Sequence, residues 1–340
     1  MAAATNPGGL SSLLAILPGR KGELAARFLC AGEPAGPERF DQAGFTLTQA
    51  ERQALATWLE HGLATRVVAE VRASDGTQKL GLALADGRQV ETVVMPVGAV
   101  CVSTQVGCAV GCRFCASGLF GLERNLTPDE ITEQVLHARR LRRIDRVVFM
   151  GMGEPTHNLE AVLTAVAAIK RHALIGPRRQ TVSTVGSVRA FERMAQAAVR
   201  PCLAVSLHVA DDERRRQLLP RAPREPLRDI VAAADAYGRD IGMPVQFEWT
   251  LLDGVNDSDA DADALCDLLA GVRGYVNFIV WNPVAGLPFG APPRERIVAL
   301  VRRVKARGIL ATIRDSSGPD AQAACGQLRL RQVQGETAHC

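Results

Sequence analysis

The stretch CVSTQVGCAVGCRFCASG, residues 101–118, places four cysteines within fifteen positions of a 340-residue chain that has nine in all. Cys108, Cys112 and Cys115 form a C-x3-C-x2-C array, and Cys101 stands seven residues upstream of it. Thiolates bind soft metals, and this spacing lets several sulfurs of one loop converge. A closed zinc site takes four ligands, and no paired Cys or His follows at finger spacing. His137 and His157 lie far along the chain, on an expected helix and an expected loop. Three cysteines suit an iron–sulfur cluster with one iron left open, able to chelate an amino and a carboxylate group. Structural zinc is the alternative at this point, and neither reading accounts for Cys101.

A loop of this kind needs a frame, and the remaining sequence describes one. From about residue 97, apolar strand segments at 98–105, 146–151, 180–184, 202–207, 245–251, 276–281 and 309–313 alternate with helical ones. The helical segments are 128–142, 158–173, 226–239, 258–270 and 291–306. Repeated β-then-α units predict a parallel sheet with right-handed crossovers. FMGMGEP (149–155), VSTVG (182–186), VSLH (205–208) and VWNP (280–283) fall where such strands end. Ligands of parallel α/β folds bind beyond the carboxyl ends of the strands, so these four segments are expected to face one cavity.

Upstream, residues 1–60 read as helix and loop, with TLTQAERQALATWLEHGL (46–63) the clearest amphipathic helix. Residues 65–96 change to short β-rich runs with Asp-Gly at 75–76 and 86–87, the pattern of a small antiparallel meander. The expected division is an N-terminal extension over 1–96, a catalytic domain over 97–328 and a tail over 329–340.

Composition narrows the class. With 47% hydrophobic and 22% charged residues the chain can bury a full core and is not a disordered protein. Its net charge is a mild +4, carried mostly by arginines, with lysines at 21, 79, 170 and 305. No apolar run reaches the roughly 20 residues of a membrane helix, and no basic region precedes the short apolar stretch near the start. An odd, unevenly clustered set of cysteines is unlike a secreted disulfide framework, so a cytoplasmic location is expected.

CVSTQVGCAVGCRFCASG, RNLTPDEI (124–131), GMGEP, VSTVG, AVSLH, WNP and AACGQL (323–328), taken in this order, make the chain recognisable. The cysteine array resembles that of the radical S-adenosylmethionine (SAM) superfamily. The longer context, from about Val90 to Leu328, resembles the branch that methylates carbon 2 of adenine in 23S ribosomal and transfer RNA, whose near relatives methylate carbon 8. The resemblance implies a partial six-stranded parallel (β/α) barrel preceded by the helical and β-meander extension. It implies a [4Fe–4S] cluster held by Cys108, Cys112 and Cys115, and two SAM molecules per turnover. One SAM donates a methyl group to Cys325, and the other yields a 5′-deoxyadenosyl radical at the cluster.

The same resemblance gives the other residues their roles. Cys325 becomes S-methylcysteine, loses a hydrogen to the adenosyl radical, and adds to the adenine ring. Cys101 then attacks the Cys325 sulfur, forming a transient disulfide and releasing the methylated base, which answers the question of the fourth cysteine. Glu91, in VETVVMP, stands at the proton-acceptor position. Gly153, Glu154, Ser183, the segment Ser206, Leu207 and His208, and Asn282 match the SAM contacts. Implied partners are an RNA substrate (ribosomal RNA, transfer RNA or both) and an external electron donor such as flavodoxin or ferredoxin, with no membrane and a monomeric state.

Basic stretches at 137–146, 176–180 and 213–225 are candidates for tracking RNA phosphates. Cys30, Cys202, Cys266 and Cys340 match no motif. Two other readings share part of this pattern. A radical SAM activase or oxidoreductase needs neither Cys101 nor Cys325, and an iron–sulfur RNA-binding or sensor protein does not need the SAM-contact strand ends.

Overall fold

A computed structural model describes residues 8–328 except 34, 120, 315 and 316. The 329–340 tail, with Cys340, lies outside the described residues. The extension begins with helices α1 (Leu10–Ile16), α2 (Arg20–Cys30), α3 (Pro37–Gln42) and α4 (Gln49–His61). Thr48 starts α4 through a reciprocal capping box with Glu51, a device worth about 1 kcal/mol. The meander follows as β1 (Thr65–Arg72), β2 (Gln78–Leu84) and β3 (Gln89–Met95).

The next expected strand, 98–105, divides. β4 (Ala99–Cys101) stays in the main sheet, while β5 (Gln105–Gly107) pairs with β6 (Leu122–Asn125) on either side of the cysteine loop. A buried amide causes the departure. Gln134 accepts from the Ser103 N–H over 2.7 Å and donates to the Ser103 carbonyl over 2.9 Å, replacing the ladder bonds a longer strand would supply. Gln134 belongs to α5 (Pro128–Leu141), which opens on a second capping box, Thr127 with Glu130.

Strands and helices then alternate: β7 (Arg146–Phe149), α6 (Leu159–His172), β8 (Gln180–Thr184), α7 (Val188–Ala195), β9 (Cys202–Ser206), α8 (Asp212–Leu218), α9 (Leu227–Asp240) and β10 (Val245–Leu251). They continue as α10 (Asp259–Leu268), β11 (Gly274–Val280), α11 (Arg294–Ala306) and β12 (Leu310–Arg314). Helices α7 and α8 have no counterpart among the expected elements, because at eight and seven residues each spans about two turns and gives little periodicity.

Ten strands form one sheet in the order β1-β2-β3-β4-β7-β8-β9-β10-β11-β12. Neighbours are antiparallel from β1 to β4 and parallel from β4 to β12. The radical SAM type of α/β fold is therefore present, its arc of six parallel strands from β4 to β11 extended by β12 at the edge. The meander is not a separate layer: Cys101 pairs with Val93 of β3 on one side and Val148 of β7 on the other. The sheet thus runs unbroken past residues 96 and 97.

Candidate active site

The carboxyl ends of the parallel strands open into a cleft of about 800 Å³, counting the part open to solvent. Cys108, Cys112 and Cys115 line one wall. Gly151, Gly153 and Glu154 after β7, Ser183 and Thr184 of β8, Ser206 of β9, Thr250 of β10 and Arg314 of β12 line others. His208 and Cys325 complete the cleft. Sequence segments more than two hundred residues apart thus meet in one space.

Glu154 is held before any ligand arrives. It is 4% exposed, and its carboxylate accepts from the N–H groups of Thr156 and Val185 at 3.0 Å each and from the Thr156 hydroxyl at 2.7 Å. Its own N–H donates to Gln105 Oε1 over 2.7 Å. Gly153 is required beside it: its φ is +102°, and a Cβ there would lie 2.6 Å from Gln105 Cβ.

His208 has φ +62°, a left-handed conformation that costs a β-carbon residue on the order of 1 kcal/mol. Two bonds compensate: the Thr250 N–H donates to Nδ1 over 3.0 Å, and Asn256 Nδ2 donates to the His208 carbonyl over 2.6 Å. Burial, with the nearby Arg215 charge, pushes the imidazole down to about 3, so it is neutral with its proton on Nε2. The ring packs edge-on against Phe114 of the cysteine loop, 4.8 Å between centroids.

The cysteine donor set fits a cluster. Burial is the main force raising all three thiols, and the charges of Cys108 and Cys115 raise Cys112 further. Such sulfurs become thiolates when a ligand brings positive charge. Among the described residues no three His, Cys, Asp or Glu side chains are arranged to hold a single metal ion. Thiolates that bind three different irons of one cluster stand further apart than ligands of one tetrahedral ion.

Cys325 rides on a strap pinned along its length. The Gly318 N–H donates to Asp75 (2.9 Å), Asp320 accepts from the Ser74 N–H (2.9 Å), and Lys79 Nζ donates to the Gln322 carbonyl (3.2 Å). Beyond it, Ala116 N–H donates to Gly326 O (2.8 Å) and Ser117 Oγ to Leu328 O (2.8 Å), fastening the strap to the cysteine loop. Asn282 Nδ2 donates to the Cys325 carbonyl over 3.4 Å. Asn282 and the fully buried Leu207 are not among the residues lining the cleft.

Cys101 and Cys325 line a second, smaller cavity with Val93, Met95, Ala323 and Leu328. Met150, Arg314 and Cys325 belong to both spaces, so the two adjoin. Both cysteines are free thiols. Glu91 lines neither cavity. It alternates with Val93 and Met95 on one face of β3 and pairs with Lys79 at 2.9 Å, its side chain 11% exposed.

Glu248 and Arg314 were not legible as site residues in the sequence. Glu248 is 2% exposed and lines the cleft from the middle of β10; a lone acid inside the apolar run VQFEWTL was the available signal. Asn277 donates to its Oε1 over 3.0 Å and is itself held by Thr312 at 2.5 Å.

Many of the basic stretches' arginines have internal partners. Arg139 donates to the carbonyls of Cys30 and Ile144, Arg179 pairs with Asp145, and Arg214 pairs with Asp261. Arg215 is buried and donates to the carbonyls of Val185 and Ser206, buttressing two strand ends of the cleft. Cys30, Cys202 and Cys266 are buried.

Residues 102–266 match the model of the Radical SAM superfamily. The chain is 50% identical over 274 residues to a protein of Methylibium petroleiphilum named a probable RNA methyltransferase, covering 81% of this chain and 78% of that one. A protein of Pseudomonas aeruginosa with the same description is 47% identical over 270 residues, covering 79% and 78%. A crystal structure of a radical SAM methyltransferase from Sphaerobacter thermophilus is similar at TM-score 0.85 and 40% identity, over 96% of this chain and 99% of that one. Relatedness of this extent, on a fold whose strand ends gather the cysteine array and Cys325 into one cleft, places the chain in the radical SAM RNA methyltransferase family.

Proposed function

We propose that the protein methylates a ring carbon of adenine in RNA, carbon 2 in ribosomal or transfer RNA, by a relay through Cys325. The observation that carries this reading is the sharing of one small cavity by Cys101 and Cys325, adjoining the cleft of the cysteine array. Carbon 2 of adenine is an electron-poor amidine carbon and cannot displace the methyl group of SAM itself. A thiolate can.

Cys108, Cys112 and Cys115 would hold the cluster, and Glu154, His208, Ser183 and Ser206 would shape the cleft for SAM. The chemistry such a cluster would supply is the one-electron reduction of SAM to a hydrogen-abstracting radical. The chain's own residues do the rest. The Cys325 thiolate attacks the methyl carbon of SAM, forming an S–C bond as the sulfonium C–S bond breaks toward S-adenosylhomocysteine. After hydrogen loss the S-methylene group adds to the adenine ring, tethering the RNA to Cys325. Glu91 takes the ring proton, and the unpaired electron of the adduct passes to a one-electron acceptor, a role the oxidised cluster would fill, which restores the aromatic ring. The Cys101 thiolate then attacks the Cys325 sulfur: the S–S bond forms, the S–CH₂ pair passes to carbon, and that carbon takes a proton to become methyl. A dithiol reductant restores both thiols.

The turned-out base must leave its stack to reach a cleft of this depth. Among the described residues no helix is long and apolar enough to cross a membrane. Peptide mass spectrometry of protein made with SAM available should find Cys325 heavier by one methylene unit. Nucleoside mass spectrometry of ribosomal and transfer RNA from a deletion strain should lack one methyladenosine, its isomer separating carbon 2 from carbon 8. Unmodified Cys325 together with an unchanged nucleoside profile refutes the proposal.

A further inference from the structure

Both sulfurs of this relay must act as anions, and both are only partly exposed. Cys101 is the harder case. Burial and the charge of a Cys325 thiolate push its thiol up to about 12; the Arg314 charge opposes them, and a backbone hydrogen bond at Met150 does so to a smaller extent. Arg314 closes β12 on the seam between the two cavities, with a side chain 28% exposed. Among the described residues lining either cavity it is the one permanent cation.

Among the described residues its neighbours leave donors unused. Nη1 donates to the Met150 thioether over 3.4 Å and lies 3.9 Å from Glu248 Oε2, a charge contact too long for a hydrogen bond. That Oε2 has no hydrogen-bond partner among the described residues. A guanidinium has five N–H donors in a fixed fork. Here it stands beside a carboxylate it does not bond and faces the spaces that hold two cysteines.

We infer that Arg314 is the shared counter-charge of the relay, a positioning residue that stabilises the Cys325 sulfur anion during methyl uptake and the Cys101 sulfur anion during release. This rests on the relay proposed above. The other charged groups around Cys101 cannot serve: Glu91 on β3 is an anion already neutralised by Lys79, and Glu248 on β10 is an acid. In the release step Arg314 faces the attacking sulfur, whose electron pair forms the S–S bond while the S–CH₂ pair goes to carbon.

The test uses the cluster-loaded full chain, reduced and free of SAM and RNA, alkylated with iodoacetamide over a range of pH and read by peptide mass spectrometry. Arg314→Met should move the Cys101 alkylation midpoint up by about one pH unit, equivalent to about tenfold less thiolate at fixed pH. Arg314→Lys should recover most of that shift. Glu248→Gln, which removes a competing anion, should move the midpoint down, and it keeps the inference testable if the arginine variant does not fold. Unchanged Cys101 profiles in Arg314→Met and Glu248→Gln, with cluster absorbance intact, overturn the inference even if wild-type Cys325 is methylated. The reverse result, shifted profiles with wild-type Cys325 never methylated, refutes the relay and leaves the electrostatic assignment standing.

Discussion

The Ala116 N–H donates to the Gly326 carbonyl over 2.8 Å, tying the residue after the last array cysteine to the residue after Cys325. Two segments 210 positions apart in sequence are therefore neighbours through their backbones, independent of any side chain at either position. Cys325 is thereby fixed relative to the cysteine loop, and in the relay proposed above a radical formed at the loop would meet the S-methyl group without a search.

Asn282 tests how much the strap matters. Asn282→Ala removes the donor to the Cys325 carbonyl and should cost about 1 kcal/mol of stability. Iron content should be retained while the fraction of S-methylated Cys325 falls. Thermal denaturation, iron assay and peptide mass spectrometry on one preparation check the three outcomes together.

Gly153→Ala should be more damaging than its size suggests. The added carbon meets Gln105 Cβ at 2.6 Å and must adopt φ +102°. Overpacking of this kind costs about 1–3 kcal/mol before backbone strain is added. Because Gln105 also orients Glu154, equilibrium dialysis should show SAM binding lost while the cluster is retained.

Any single substitution Cys108→Ala, Cys112→Ala or Cys115→Ala should remove the visible absorbance and most of the iron, since each thiolate anchors a separate corner. Iron and sulfide assays on anaerobically prepared protein read this directly. Cys325→Ala should leave both unchanged.

Acid should weaken the fold through His137. Burial holds its imidazole down at about 4 in the folded chain, with Nε2 2.9 Å from Thr65 Oγ1. The unfolded chain takes up that proton near pH 6.5, so it binds more protons between these values. This residue's contribution to stability is therefore lost as pH falls from about 6.5 to 4, on the order of 2 kcal/mol by pH 5, against an opposite contribution from Glu133, which burial pushes up to about 8. Denaturant titrations at several pH values should show the stability of His137→Gln rising relative to the unsubstituted protein as pH falls from about 6.5 to 4.

The sequence was most informative where chemistry is local. Cysteine spacing, the Gly153–Glu154 strand end and the positions of β8, β9 and β10 follow from a few adjacent residues each. Contacts made by the fold were not available in the same way. Arg314 reads as the end of an apolar strand, and its relation to Cys101 exists because β12 and β4 both reach the smaller cavity. Lys79 likewise reads as a surface strand residue, although it joins Glu91 to the strap. The split of segment 98–105 depends on Gln134, a partner 31 residues from Ser103.

The relay stands or falls on Cys101. Cys101→Ala protein, loaded with cluster and SAM and given ribosomal and transfer RNA from a strain lacking the enzyme, should stall after the S-methylene group has joined the base. The product should be a thioether between Cys325 and RNA that survives denaturing electrophoresis and reducing agents, and that is absent when Cys325→Ala is added to the same chain. Turnover equal to the unsubstituted enzyme, with no RNA retained on the Cys101→Ala protein, would contradict the account.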